Sequence, residues 1–180
     1  IPLVLITLVS FPSWGLTMDD LVERDDLYYE KFTDVPFTGE LDEGTERGSF
    51  KNGKEDGYWE IYFDNGKLKQ NGNYILGKRT GSWTQYHENG QLFAKGKFED
   101  DEQDGYWEFY FENGKLRSKG NAKNGKEEGY FETYHENGQL QSKGDFKNGK
   151  QEGSWEFYFE NGQLKSKGDF KNGKQEGSWV

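Results

Sequence analysis

One interval constrains this chain more than any other feature. Gly57, Gly81, Gly105, Gly129, Gly153 and Gly177 are spaced 24 residues apart, and Gly66, Gly90, Gly114, Gly138 and Gly162 keep the same spacing. Five units, from "GYWEIYFDNGKLKQNGNYILGKRT" to "GSWEFYFENGQLKSKGDFKNGKQE", align without a gap, and a sixth begins at Gly177. A fixed period of this length is the mark of a repeat architecture in which each unit packs on its neighbours. We divide the chain into a targeting segment (residues 1–15), an acidic entry or cap with a partial repeat (16–56) and the repeats (57–180).

Every unit holds two turn signals. The first is an Asn-Gly pair, Asn65-Gly66 through Asn161-Gly162; the second is Asn-Gly in three units and Leu76-Gly77 or Asp100-Asp101 in the others. Asn-Gly between alternating residues predicts a two-residue type I′ hairpin. With Asn161-Gly162 as that turn, Glu160 faces Gln163, Phe159 faces Leu164, Glu156 faces Lys167 and Trp155 faces Gly168. The same count sets Trp59 over Gly72, Trp83 over Gly96, Trp107 over Gly120 and Phe131 over Gly144. A large ring over a cross-strand glycine compensates for the missing side chain, so we assign both rows a structural role. Nothing in the period is helical. The predicted fold is all-β, an elongated antiparallel meander or solenoid of hairpins with two strands per 24 residues.

Alternation along a strand sorts the other rows. The tryptophan face is expected to carry the Phe/His row and Leu68, Leu92, Leu116, Leu140 and Leu164 as well, and to be the more buried. The opposite face carries Glu–Lys pairs (Glu108 with Lys119, Glu132 with Lys143, Glu156 with Lys167) and a tyrosine row: Tyr62, Tyr86, Tyr110, Tyr134 and Tyr158. Tyrosine offers broad contact area at modest entropic cost, which makes this row the candidate contact surface for an as yet unidentified protein partner.

Only 36 of 180 residues are Leu, Ile, Val or Phe and the net charge is -10, a balance that borders on disorder. The 17% aromatic content reverses that reading, because few aromatic positions bury large areas. A thin sheet held by rings is expected rather than a thick aliphatic core. Residues 16–56 hold 13 acids and 5 bases, whereas the repeats hold 20 and 18. An acidic chain without a basic face lacks the footprint of a nucleic-acid binder. With no cysteine, disulfides and thiolate metal sites are excluded.

Candidate chemistry is sparse. His87 and His135 fall at the offset that Phe63, Phe111 and Phe159 occupy, two units apart, about 19 Å at strand spacing, too far to share one metal ion. "DDEQDG" at Asp100 to Gly105 imitates a calcium loop, but Phe111 stands where the bidentate Glu belongs. No nucleophile–base set or phosphate loop occurs. We expect no enzymatic activity and no metal or other cofactor.

The pattern G-[YS]-W-E-x-Y-x-E-N-G-Q-L-x-S-K-G-x-F-K-N-G-K-x-E-G, with "LYYEKFTDVPFTGEL" at Leu27 to Leu41, resembles the MORN repeat, and more closely its bacterial variant (MORN-2 type), found in proteins called YwqK-type antitoxins. The resemblance covers residues 27 to 180. It implies stacked hairpins, and protein-binding, membrane-associated or scaffolding roles, with antitoxin activity as a special case.

"IPLVLITLVSF" followed by "PSWG" reads as a signal-peptide core and cleavage site, shorter than the ~20 apolar residues a spanning helix needs. The chain starts at Ile1 without Met, and further residues are expected before it. These features lead us to expect an exported protein of periplasm, outer envelope or external medium that binds a protein, with membrane or envelope association and surface glycan binding as alternatives. Intact-mass measurement of the exported protein is expected to show Leu16 as its first residue; a retained Ile1 to Gly15 would refute cleavage.

Overall fold

A computed structural model describes residues 15–180. The apolar segment read above as a signal peptide, apart from Gly15, lies outside the described residues. A short 3₁₀ turn, Met18–Asp20, precedes a two-stranded hairpin of β1 (Leu21–Arg24) and β2 (Leu27–Glu30). Then come β3 (Gly39–Leu41), β4 (Glu46–Lys51) and β5 (Lys54–Glu55). The repeats supply β6 (Gly57–Tyr62), β7 (Leu68–Ile75), β8 (Lys78–Tyr86), β9 (Leu92–Glu99), β10 (Glu102–Tyr110), β11 (Leu116–Lys123), β12 (Lys126–Tyr134), β13 (Leu140–Lys147), β14 (Lys150–Tyr158), β15 (Leu164–Lys171) and β16 (Lys174–Glu176). From β3 to β16 these form one 14-stranded sheet in which chain order is spatial order, with β5 attached to β4 beside the main path. Every pairing is antiparallel, as the hairpin count predicts.

The two turns of each unit differ, which the sequence reading did not anticipate. At the second turn both residues are left-handed, Asn148 at φ 51 and Gly149 at φ 74, the type I′ form. Leu76 and the Asp100-Asp101 pair adopt the same geometry; Asp101 is held there by Arg79, whose Nε donates to its carboxylate at 2.9 Å. "DDEQDG" is therefore a tight turn running into β10. The first turn is a type I turn closed by a bulge. Gly162 N donates to Phe159 O at 2.8 Å, Phe159 N to Gln163 O at 2.9 Å, and the left-handed residue is Gly162 alone, at φ 80.

That bulge changes the pairing next to the turn. Trp155 opposes Gly168 and Glu156 opposes Lys167 as expected, but Tyr158 opposes Leu164, so the expected Phe159–Leu164 and Glu160–Gln163 pairs do not form. Opposed residues share a face. The leucine row thus lies on the tyrosine face, not with the tryptophans.

The periodic glycines also acquire a reason. Between β9 and β10 the register moves from Lys97↔Asp104 to Lys95↔Glu108, two extra residues on β10, and Gly105 sits in this bulge at φ 76. A shift of two keeps every side chain on its face, and glycine accepts the left-handed backbone without strain.

Rings on the tryptophan face form a zigzag. Phe50, Trp59, Tyr74, Trp83, Phe98 and Trp107 follow one another with centroids 5.0 to 6.0 Å apart, largely edge to face. A second run joins Phe131, Phe146, Trp155, Phe170 and Trp179. Trp59, Trp83, Trp107 and Trp155 are only 1 to 2% exposed. At the N-terminal end Leu21, Phe37 and Leu41 pack with Phe50 and Trp59 into one cluster, so the acidic entry segment covers the first tryptophan.

The tryptophans cover glycines, though not the expected ones. Phe131 opposes both Gly120 and Gly144. Its ring lies over Gly120, on the preceding hairpin, where an added Cβ would come within 2.3 Å of it. In the same way Trp83 covers Gly72, Trp107 covers Gly96, Trp155 covers Gly144 and Trp179 covers Gly168. The indole N–H confirms the direction: Trp83 donates to Asn73 O, Trp107 to Lys97 O and Trp155 to Asp145 O, at 3.0 to 3.2 Å. Each tryptophan therefore bridges two units.

Burying about 200 Å² of indole contributes roughly 5 kcal/mol as an upper bound, several times the value of a surface ion pair. The joints between units thus depend mainly on this contact. Gly96→Ala is expected to lower stability by about 1–3 kcal/mol, since Trp107 must move. Urea denaturation checks this; an unchanged midpoint would show that the ring is free to shift.

Candidate functional site

The tyrosine face is built from three rows in register. Glu108 lies between Lys95 on β9 and Lys119 on β11, and pairs with Lys95 at 2.6 Å. Glu132 pairs with Lys119 and Glu156 with Lys143, each at 2.8 Å. The expected pairs share register, but the ion pairs run to the preceding unit, for the same reason as the rings: each unit leans back on its predecessor. Of the three pairs expected within a hairpin, Glu156 with Lys167 forms, also at 2.8 Å.

The tyrosine row is tied into this ladder. Tyr62 Oη donates to Glu60 at 2.6 Å and Tyr110 to Glu108 at 2.8 Å, and Tyr134 and Tyr158 bond to Glu132 and Glu156 in the same way. Lys95, Lys119 and Lys143 lie 5.7 to 5.8 Å from the rings of Tyr110, Tyr134 and Tyr158. Tyr86 has Thr84 in place of the glutamate. All five are half-buried. The more exposed tyrosines are a different row, Tyr58, Tyr106 and Tyr130, at 49 to 51%; Tyr130 also donates to Glu132 at 3.1 Å, and Tyr58 accepts from Asn71 at 2.7 Å. They project from the same face, two residues before the glutamates. The tyrosine after the first glycine of units one, three and four marked them, but alternation alone does not rank two tyrosines on one face. Where Ser82 interrupts this row, a hollow of about 370 Å³ opens beside Tyr106, lined by Thr84, Lys95, Lys97 and Glu108.

Charge and hydrogen bonding shift these groups together. Hydrogen bonds from Lys143, Lys167 and Tyr158 lower the Glu156 carboxyl from 4.5 to about 2. The Lys95 hydrogen bond likewise lowers Glu108. Burial, then the bond to Glu108, raises Tyr110, and the Glu132 bond raises Lys119. All four shifts favour the charged pair with a neutral phenol.

The histidines are joints too. A His87 ring nitrogen lies 3.0 Å from Tyr110 O, and one of His135 lies 3.0 Å from Tyr158 O, each in the next unit. Among the described residues no three His, Asp or Glu side chains converge on one point. The first-turn asparagines have a similar part. Asn137 Oδ1 accepts from Gln139 N at 2.8 Å, and its Nδ2 donates to Glu160 O of the next unit at 2.7 Å. Asn89 and Asn113 repeat the pattern.

A sheet of stacked hairpins with no crossover, joined by such rows, defines a linear repeat protein. The profile of the MORN repeat variant matches residues 55–75, 79–100, 103–124, 127–148 and 151–172, more than half of the chain. The chain belongs to this family, whose repeats are generally protein- or membrane-interaction modules. Comparison with curated proteins gave no match.

The lowered carboxyls fix a sign for pH dependence. A group held at about 2 when folded and near 4.5 when unfolded stabilises fully above 4.5 and loses that contribution as pH falls toward 2. Urea midpoints measured from pH 6 to 2 should therefore fall below pH 4.5, with a shallower fall in Glu156→Gln. Parallel profiles would mean that the ladder does not carry the effect.

Proposed function

We propose that the protein is a non-enzymatic interaction module that presents the tyrosine face of its sheet to a protein partner. The observation that carries this reading is the continuity of that face. Exposed Tyr106 and Tyr130 stand in adjacent units over a fixed Lys–Glu–Tyr ladder, next to the hollow at Ser82. Aromatic area on a rigid base costs little entropy on binding. Alternating charge favours a protein over an anionic bilayer, which attracts polybasic surfaces. Tyr62, Tyr86, Tyr110, Tyr134 and Tyr158 support the surface from beneath and contribute their half-exposed edges. The apolar run before Gly15 favours an exported setting, in the periplasm, outer envelope or medium. Antitoxin-like binding is the special case in which the partner is a toxin.

A photo-crosslinking residue at Tyr106 is expected to give a protein adduct that Tyr130→Ala reduces at least fivefold with the fold intact. Tyr110→Ala should instead lower stability by about 1 kcal/mol through loss of a charge-assisted bond, as read in urea. Crosslinking to lipid, flotation with liposomes free of protein, or retention on a glycan array would overturn the reading in favour of membrane or carbohydrate binding.

A further inference from the structure

The aromatic zigzag has one break. Its odd members, one per unit, are Tyr74, Phe98, Ala122, Phe146 and Phe170. Phe98 lies 6.0 Å from Trp83 and 5.0 Å from Trp107, and Phe146 lies 5.2 Å from Phe131 and 5.0 Å from Trp155. At Ala122 no ring stands between Trp107 and Phe131. Two further reductions fall at the same place. Phe131 replaces the tryptophan of the other units, and Thr133 stands where units three and five have Phe109 and Phe157.

All three reduced positions border one recess of about 300 Å³, whose apolar walls include Trp107, Phe109 and Phe146 and whose polar ones include Gln103, Arg117 and Glu127. Phe131 is 8% and Ala122 7% exposed, where Trp59, Trp83, Trp107 and Trp155 are 1 to 2%. The gap cannot close by collapse, because the ladders from β10 to β13 hold the strands at fixed spacing. Arg117 borders the recess, with its guanidinium 5.6 Å from both Phe93 and Phe109.

We infer that this recess is a binding site for one aromatic side chain, Phe or Tyr, presented by another protein. The protein's own architecture identifies the occupant: in four other units the equivalent place holds a phenyl or phenol ring packed edge-on against its neighbours. Arg117 and Glu127 border the same recess and offer a cation and an acceptor to the polar backbone beside an inserted ring. A recess of this size, open on a sheet face, holds a free ring weakly; it suits a ring already displayed on a larger surface. The site lies on the tryptophan face, opposite the tyrosines, and does not depend on the reading given above.

The test is a titration of the ¹⁵N-labelled chain with N-acetyl-phenylalaninamide, N-acetyl-tyrosinamide, N-acetyl-leucinamide and free p-cresol. The aromatic amides are expected to shift the backbone signals of Ala122, Phe131 and Thr133 with Kd on the order of 1 mM, at least fivefold more tightly than leucinamide. Ala122→Phe should abolish these shifts and raise the urea midpoint, and Phe131→Trp, the repeat's usual residue, should weaken them if Ala122→Phe fails to fold. Equal response to leucinamide, or unchanged binding in both variants, would overturn the site. Tighter binding of p-cresol than of N-acetyl-tyrosinamide would assign it to small aromatic molecules rather than a protein.

Discussion

The contact that the rest of the structure depends on is an indole ring lying across a glycine of the preceding hairpin. A sheet with only one strongly buried face has little depth to fill, and an aliphatic side chain would cover too small an area to hold two units together. An indole covers more, provided the backbone below has no Cβ. The alternation of Trp and Gly along the sheet follows from that condition, and so does the direction of the joints: Trp59, Trp83, Trp107 and Trp155 reach back one unit both by ring and by N–H, and Phe131 and Trp179 by the ring.

The polar rows follow the same geometry. Glutamates pair back with the lysines of the previous unit, while asparagine amides and histidine nitrogens reach forward to carbonyls of the next. Individually these contacts are weak and exposed. Repeated at each joint, they set the register of neighbours whose hydrophobic contact is non-directional. Stability is thus a sum over joints rather than a property of one core. Individual positions can then vary, as Leu76, Asp101 and Phe131 do, without loss of the fold.

This division bears on function. A side chain committed to a joint is poorly available to a partner, and Tyr110 and Tyr134 are largely committed, through Glu108 and Glu132. The positions that differ from unit to unit are the more exposed Tyr58, Ser82, Tyr106, Tyr130 and Ser154 on one face, and on the other Ala122, where the other units carry a ring. Individuality in a repeat protein resides where units differ.

Much of the fold was legible in the sequence. The 24-residue period, the antiparallel meander, the Trp–Gly and Glu–Lys registers and the two faces all follow from glycine spacing and two-residue alternation, which are local properties of a strand. Three features were not. The first Asn-Gly is a bulged type I turn in which the asparagine Oδ1 accepts from the backbone N–H two residues on, at the last unit as at the others, a form that the Asn-Gly preference for type I′ does not contain. That one bulged residue moved the leucines to the tyrosine face. Which neighbour each ring and each glutamate chose depended on the lean of one hairpin against another. Sequence by itself determined the period, the partners in register and the candidate rows, because backbone pairing is periodic. Only the tertiary structure decided the direction of the joints, the exposed tyrosines and the recess at Ala122, because these arise where side chains of different units compete for the same space.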